Sequence, residues 1–226
     1  MSGKLSLVAT PIGNMEDITL RALRTLAEAD AIFAEDTRHT AHLLVHHRLK
    51  KSLQSCHQQN EARRSQEIAS RVARGERIAL VSDAGSPGVS DPGFRVVRAC
   101  IEQGLTVEVI PGPCALIAAL SASGLPTHEF HFVGFLPSKP GACERKLREL
   151  TNAHGTLVFY ESPYRLLRVL NRIALIFPEC KLVVARELTK KFEEFRRGSA
   201  AELAAHFEKH HPRGEFVVLM SGAEAK

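Results

Sequence analysis

The sequence predicts an α/β protein of two domains, and three observations carry that reading. Short apolar strand-like runs alternate with amphipathic helix-like runs along the whole chain, the pattern of helices laid on mainly parallel sheets. The chain has 226 residues and a mass of 24.9 kDa, room for one large domain or two small ones. A Pro111-Gly112-Pro113 break interrupts the alternation near its middle and divides residues 1–112 from 113–226.

Each element follows from its local pattern. Residues 5–9 are an apolar strand running into a turn. Residues 18–29 read as a helix with Leu20, Leu23 and Leu26 on one face. A short strand at 31–34 and a helix over 40–47 follow. Residues 61–74 form a polar amphipathic helix stopped by Gly75. The buried strand 78–81, the helix 93–103 stopped by Gly104, and the strand 107–110 complete the first domain. Past the break, a helix over 114–122 ends at Gly124. Strands are expected at 130–133, 156–160, 182–185 and 215–220, and helices at 143–152, 164–177 and 200–210. Residues 192–198 are read as an added antiparallel strand.

Composition narrows the function. Hydrophobic residues at 44% and charged residues at 24% exclude a disordered or fibrous chain. No apolar run approaches the roughly 20 residues that cross a bilayer. The start, Met1 to Ala9, lacks the long apolar core and cleavage site of a secretion signal, so a cytoplasmic address and no membrane partner are expected. The five cysteines are dispersed and form no C-x-x-C, which favours reduced, packing cysteines over a disulfide framework or structural zinc. A net charge of +5 permits an anionic partner without requiring one.

Ligands of open α/β sheets collect beyond the carboxyl ends of the strands, so the turns there hold the candidate chemistry. Thr10-Pro11-Ile12-Gly13-Asn14 has a single glycine and is not a phosphate loop. Glu35-Asp36-Thr37-Arg38-His39-Thr40 gathers two acids, a base, an imidazole and two hydroxyls; it reads as a polar grip or as a helix cap. The stretch from Ser82 to Gly93 holds three glycines and two prolines in twelve residues, a shaped loop that brings backbone close to a ligand. Pro111-Gly112-Pro113-Cys114-Ala115 leaves space at a helix start. Phe159-Tyr160-Glu161-Ser162-Pro163, Ala185-Arg186-Glu187-Leu188-Thr189-Lys190-Lys191 and Arg213-Gly214-Glu215 place polar groups at strand ends of the second half. His42 and His46 lack the glutamate of H-E-x-x-H and are not read as metal ligands. The basic tract from Pro137 to Lys146 reads as a flexible loop able to track phosphates or as a solvated one.

Seven segments occur together in one order: Val8-Ala9-Thr10-Pro11-Ile12-Gly13-Asn14, Ala34-Glu35-Asp36-Thr37-Arg38, Val81-Ser82-Asp83-Ala84-Gly85-Ser86-Pro87, Asp91-Pro92-Gly93, Pro111-Gly112-Pro113-Cys114-Ala115, Gly134-Phe135-Leu136-Pro137 and Phe159-Tyr160-Glu161-Ser162. In these the chain resembles the 16S ribosomal RNA (cytidine-2′-O)-methyltransferases of the tetrapyrrole-methylase superfamily, over nearly its whole length. The resemblance implies two α/β domains of tetrapyrrole-methylase type, S-adenosylmethionine in the cleft between them, and a homodimer. It implies cofactor binding by Pro11, Asp83, Gly85, Val89, Ser90, Cys114 and Ala115, then Tyr160, Glu161, Ala185, Gly214 and Glu215. Family members often continue past the last strand into a small helical domain, whereas this sequence ends at Lys226.

The implied reaction is transfer of a methyl group to a ribose 2′-oxygen of 16S ribosomal RNA, alone or in the small subunit. A ribose hydroxyl is a poor acid, so Asp36 or Glu161 is expected to accept its proton, with Arg38 and Lys190 orienting substrate or stabilising the alkoxide. Lys139, Arg145, Lys146 and Arg148, with Arg63 and Arg64, are candidate phosphate contacts. Aromatic residues at 6% and the absence of Trp argue against a broad base-stacking platform. Two other readings stay open: methyl transfer to a tetrapyrrole or another small molecule, and a non-catalytic RNA-binding factor.

Overall fold

The computed structural model describes residues 3–222. Residues 1–2 and 223–226, on which the readings of the chain's two ends partly rest, lie outside the described residues. Two compact units follow one another along the chain, Met1–Cys114 and Ala115–Lys226.

The first unit is a parallel sheet covered on both faces. Its strands are β1 (Lys4–Val8), β2 (Ala31–Ala34), β3 (Leu53–Ser55), β4 (Arg77–Val81) and β5 (Thr106–Ile110), in the order β3-β2-β4-β1-β5. Its helices are α1 (Leu20–Glu28), α2 (Thr37–His46), α3 (Glu61–Ala73) and α4 (Phe94–Glu102). On one face Leu5, Phe33, Ile78 and Leu80 pack with Ile68, Val72 and Val96 of α3 and α4. On the other, Val8, Ile32, Ala79 and Val81 pack with Ala22, Leu26, Leu43 and Leu44 of α1 and α2. Burial on both faces explains why these strands read as unbroken apolar runs.

Three details depart from the sequence reading. The strand β3 was not foreseen: three residues of mixed polarity at a sheet edge carry no period. Leu20 is 83% exposed, and the buried stripe of α1 runs through Ala22 and Leu26 instead. Helix α2 begins at Thr37 rather than residue 40, because the Asp36 carboxylate accepts the Arg38 amide and caps it there.

The second unit holds β6 (Phe130–Phe135), β7 (Thr156–Glu161), β8 (Leu182–Arg186), β9 (Glu194–Gly198) and β10 (Phe216–Ser221) in the order β6-β7-β10-β8-β9. Its helices are α5 (Ala115–Ser123), α6 (Pro140–Glu149), α7 (Pro163–Ile176) and α8 (Ala200–Lys209). Leu157, Phe159, Val184 and Val218 face the core shared with α6, α7 and α8, while α5 lies against β7, β8 and β10. The expectation of mainly parallel pairing fails here. The β6–β7 pair is parallel, but β10 is antiparallel to both β7 and β8. The cause is the β8–β9 reversal: β9 runs antiparallel to β8, and the α8 crossover keeps that reversed direction for β10. The antiparallel strand expected at 192–198 is this β9. The basic tract read as a flexible loop is largely the first turns of α6, which opens at Pro140 with proline at its start.

Candidate functional site

In the first unit the chemistry gathers beyond the carboxyl ends of β1, β2, β4 and β5. Just past β1 and β4, Thr10 and Gly85 exchange backbone hydrogen bonds of 2.9 and 3.0 Å, an isolated antiparallel bridge. The Thr10 hydroxyl donates to the Ser82 carbonyl at 3.1 Å, and the Ser82 hydroxyl donates to the Gly85 carbonyl at 3.2 Å. Gly85 has φ +81°, and a β-carbon there would touch Ile12 at 3.5 Å and the Pro113 carbonyl at 3.7 Å. The left-handed backbone, more than space, is what calls for glycine. The turn after β5 approaches the same loop, where the Ser86 hydroxyl donates to the Pro113 carbonyl at 3.5 Å. Among the expected cofactor residues, Pro11 and Gly85 are buried, Asp83, Val89 and Cys114 are half-buried, and Ser90 is exposed. Ser90 holds φ +64° without being glycine, a conformation that marks a loop constrained by its surroundings.

Three carboxyl groups converge on this loop. The Asp83 carboxylate accepts the Asp36 amide at 2.8 Å, tying the end of β4 to the end of β2. Burial first, then the neighbouring Asp83 charge, pushes the Glu35 carboxyl above its ordinary value. Burial, then the charge of Glu35, pushes Asp91 up to about 7, against a hydrogen bond with Ser82 and with Asp83 adding to the rise. A local excess of buried negative charge disfavours anions and favours a cation. Glu35 and Asp91 lay inside the motifs but were not singled out, since their proximity to Asp83 is a property of the fold.

Asp36 and Arg38 form a closed pair. One Asp36 oxygen accepts the Arg38 amide at 2.8 Å and its Nε at 3.1 Å; the other meets the guanidinium at 2.7 Å. The Arg38 side chain holds the Asp36 carboxyl well below the usual carboxylate range. Asp36 therefore caps the helix, as the cap reading expected, and holds an arginine of its own helix.

In the second unit the expected residues gather at one end of the sheet, where Tyr160 and Ala185 flank Val217 and Glu161 and Arg186 flank Phe216. Lys190, Gly214 and Glu215 are brought together around Glu187. The Lys190 ammonium donates to Glu187 at 2.9 Å and to Glu215 at 2.8 Å, while the Glu215 amide donates to Glu187 at 3.0 Å. A β-carbon at Gly214, where φ is +91°, would strike the Glu187 carboxyl at 2.5 Å. Burial pulls the Lys190 ammonium down, but the Glu215 and Glu187 carboxylates outweigh it and keep the group above its ordinary value. Burial raises Glu187, and Lys190 with the Glu215 amide reverses that. Lys190 is thus held as a cation.

Glu161 ends β7 at this same end of the sheet, opposite Phe216, the residue after Glu215. It is 2% exposed, its Oε1 accepts the Ser162 amide at 2.8 Å, and Arg165 approaches at 3.2 Å. Arg165 in turn donates to the Leu136 carbonyl at 2.6 Å. Burial raises the Glu161 carboxyl, and its Oε2 has no hydrogen-bond partner. Tyr160 packs edge-on against Phe132 and Phe135 at 5.0 and 5.6 Å. Ala185 is buried within β8, paired with Val217 and Phe195 on either side; Ala115 opens α5.

Comparison with known proteins now bears on this arrangement. Residues 4–204 match the family model described as Tetrapyrrole (Corrin/Porphyrin) Methylases. A Thermotoga maritima protein named Ribosomal RNA small subunit methyltransferase I is 47% identical over 222 residues, covering 98% of this chain and 100% of that one. Its Xylella fastidiosa namesake is 46% identical over 98% of this chain and 82% of its own length. Among solved structures, a uroporphyrin-III-C-methyltransferase from Thermus thermophilus is 26% identical at TM-score 0.67, covering 97% of this chain and 94% of that one. A diphthine synthase shares the fold at TM-score 0.72 with 13% identity. The chain belongs to the tetrapyrrole (corrin/porphyrin) methylases, within them to the ribosomal RNA small subunit methyltransferase I group, and is an S-adenosylmethionine-dependent methyltransferase.

Proposed function

We propose that this protein methylates the ribose 2′-oxygen of a cytidine in the 16S RNA of the small ribosomal subunit. The observation that carries the reading is the 47% identity to a ribosomal RNA small subunit methyltransferase I across the full length of that relative. The likeness to a uroporphyrin-III methyltransferase is weaker, at 26%, so a tetrapyrrole substrate stands second. A homodimer belongs to the same reading.

When bound, S-adenosylmethionine supplies a methyl group already activated by its sulfonium charge. The residues of this chain fit such a ligand. Pro11, Asp83, Gly85, Val89, Ser90 and Cys114 supply loop backbone and a carboxylate, and Glu35 and Asp91 place beside Asp83 two carboxyl groups, raised by burial, that a nearby cation would draw back to their charged form. Ala115, Tyr160, Glu161, Ala185, Gly214 and Glu215 are proposed for the same cofactor. Ala185 and Glu161, as buried as they are, would act by shaping backbone rather than by direct side-chain contact.

The expectation that Asp36 or Glu161 takes the ribose proton does not fit their surroundings. Asp36 is held too far into its charged form to be an effective base, and Glu161 is enclosed beside Arg165. Their roles are to position Arg38 and Arg165. The Arg38 guanidinium, with an 88% exposed side chain, and the Lys190 ammonium are the cations available to orient a phosphate and offset charge growing on the ribose oxygen. Positioning of the hydroxyl against an activated methyl would then supply much of the rate, with the ribose proton released to solvent water as the oxygen takes up the methyl.

The test is methyl transfer from labelled S-adenosylmethionine to unmodified small subunits and to their naked RNA, with the product mapped by resistance to alkaline cleavage. One resistant cytidine is expected. Transfer to uroporphyrinogen or a precorrin instead, or cofactor binding with no transfer to RNA in either form, would overturn the reading.

A further inference from the structure

We propose that the groove between α6 and α7 is a docking surface for single-stranded RNA of the small subunit, with a base stacked on Tyr164 and phosphates on its arginines. The inference rests on the RNA-substrate reading above and adds a second place of contact, made of residues outside all seven family segments. The groove has a volume of about 630 Å³, and its walls include Glu144, Arg148, Tyr164, Arg168, Arg172 and Leu175.

Charge complementarity selects the occupant. Between residues 139 and 172 there are seven lysines and arginines against three glutamates, in a chain whose whole net charge is +5. Inside the groove one carboxylate, Glu144, serves two guanidinium groups, Arg148 at 2.9 Å and Arg172 at 3.0 Å. That arrangement orients both arginines yet neutralises only one charge. Arg168 is exposed, and its guanidinium donates to the Ser138 carbonyl at 3.5 Å, leaving most of its face to solvent. The groove therefore carries excess positive charge on planar, pre-oriented groups, the geometry that suits phosphates.

Tyr164 adds the second requirement. Its residue is 96% exposed, and Leu175, a wall residue about three turns further along α7, is 85% exposed. It stands in the first turn of α7 directly after Pro163, on a rigid element rather than a loop. An exposed ring flanked by arginines is the means by which proteins hold an unstacked base of single-stranded RNA. One such ring is consistent with the scarcity of aromatics: it reads a single base, not a run.

The experiment measures equilibrium binding of the full chain to unmodified small-subunit RNA and to assembled subunits across a salt series, with S-adenosylmethionine affinity and thermal stability as controls. Tyr164→Ala should weaken RNA binding about tenfold and Tyr164→Phe should restore it. Arg168→Ala should weaken binding and reduce the slope of log K against log salt by about 0.7, the loss of one phosphate contact on a single strand. Cofactor affinity and melting temperature should stay unchanged in all three. A photoreactive benzoylphenylalanine in place of Leu175 should crosslink to RNA within the particle. If the wild type binds RNA and both Tyr164→Ala and Arg168→Ala match it in affinity and slope, the groove is overturned while the substrate reading stands. Crosslinks to a ribosomal protein alone would also overturn it. A wild type that binds neither naked RNA nor subunits would sink both readings together.

Discussion

Asp36 shows how a site residue is constrained by its own neighbours. Its two oxygens are occupied by the Arg38 amide and guanidinium, and its amide by Asp83. If its task is to hold Arg38, removing either partner removes the same function. Asp36→Asn keeps a capping oxygen but loses the charged grip; Arg38→Ala loses the cation itself. Each should lower kcat by roughly tenfold, and the double variant should be little worse than Arg38→Ala alone. The pH–rate profile should keep its shape. A base would behave otherwise, with a loss of about 10²–10⁴ confined to Asp36→Asn and a vanished ionisation in the profile. The motif Glu35-Asp36-Thr37-Arg38 was visible in the sequence as a polar cluster. What was not visible is its division of labour, because Asp83, whose charge adds to burial in raising Glu35, and Asp91, which Glu35 helps to raise in turn, arrive on a loop far along the chain.

At the scale of elements, helix α4 illustrates a cap supplied from another helix. Gly93 precedes it and has no side chain to accept the first amides. Glu61, at the start of α3 and 7% exposed, accepts the Gly93 amide at 2.8 Å and the Arg95 amide at 3.0 Å. The carboxylate also lies at the positive end of α4. Glu61→Ala should therefore cost about 1–3 kcal/mol, one buried and one half-buried donor being left without an acceptor. Glu61→Gln, which retains an oxygen, should cost less, as read from urea unfolding. Equal losses would deny the cap. Because Gly93 closes the Ser82-to-Gly93 loop, Glu61→Ala should also loosen cofactor binding. Sequence patterns revealed nearly every helix and strand here, since apolar period and glycine stops are local signals. They missed β3, which is short and at an edge, and the direction of β10, which depends on a reversal upstream. They also missed the Glu61 cap, whose partners are 32 and 34 residues away.

At the scale of the molecule, the same acids that suit a cation set the response to pH. Asp91 has an ordinary value of 3.8 and is pushed up to about 7 in the folded state. Between those values the folded chain keeps a proton that the unfolded chain has released. Stability from this group is therefore greatest below about pH 4, falls as pH rises, and is fully lost above about pH 7. Glu76, Glu108 and Glu187 work in the opposite sense. Hydrogen bonds and charge from Arg71 lower Glu76, and those from Lys4 lower Glu108. Burial raises Glu187, but Lys190 more than reverses it. Their contribution is present above the ordinary carboxylate value near 4.5 and is lost as pH falls through their lowered values. The two trends bound stability from both sides, and only the first depends on Asp91. Asp91→Asn, which keeps the shape of the side chain without its charge, should raise the melting temperature at pH 8 and leave it nearly unchanged at pH 4. The acid limb should persist in the variant. Melting temperatures of both proteins across pH 4 to 8 check this. A gain of equal size at both ends would mean that packing, not the proton on Asp91, separates them, and that the carboxyl groups of Glu35, Asp83 and Asp91 do not repel one another as their positions require.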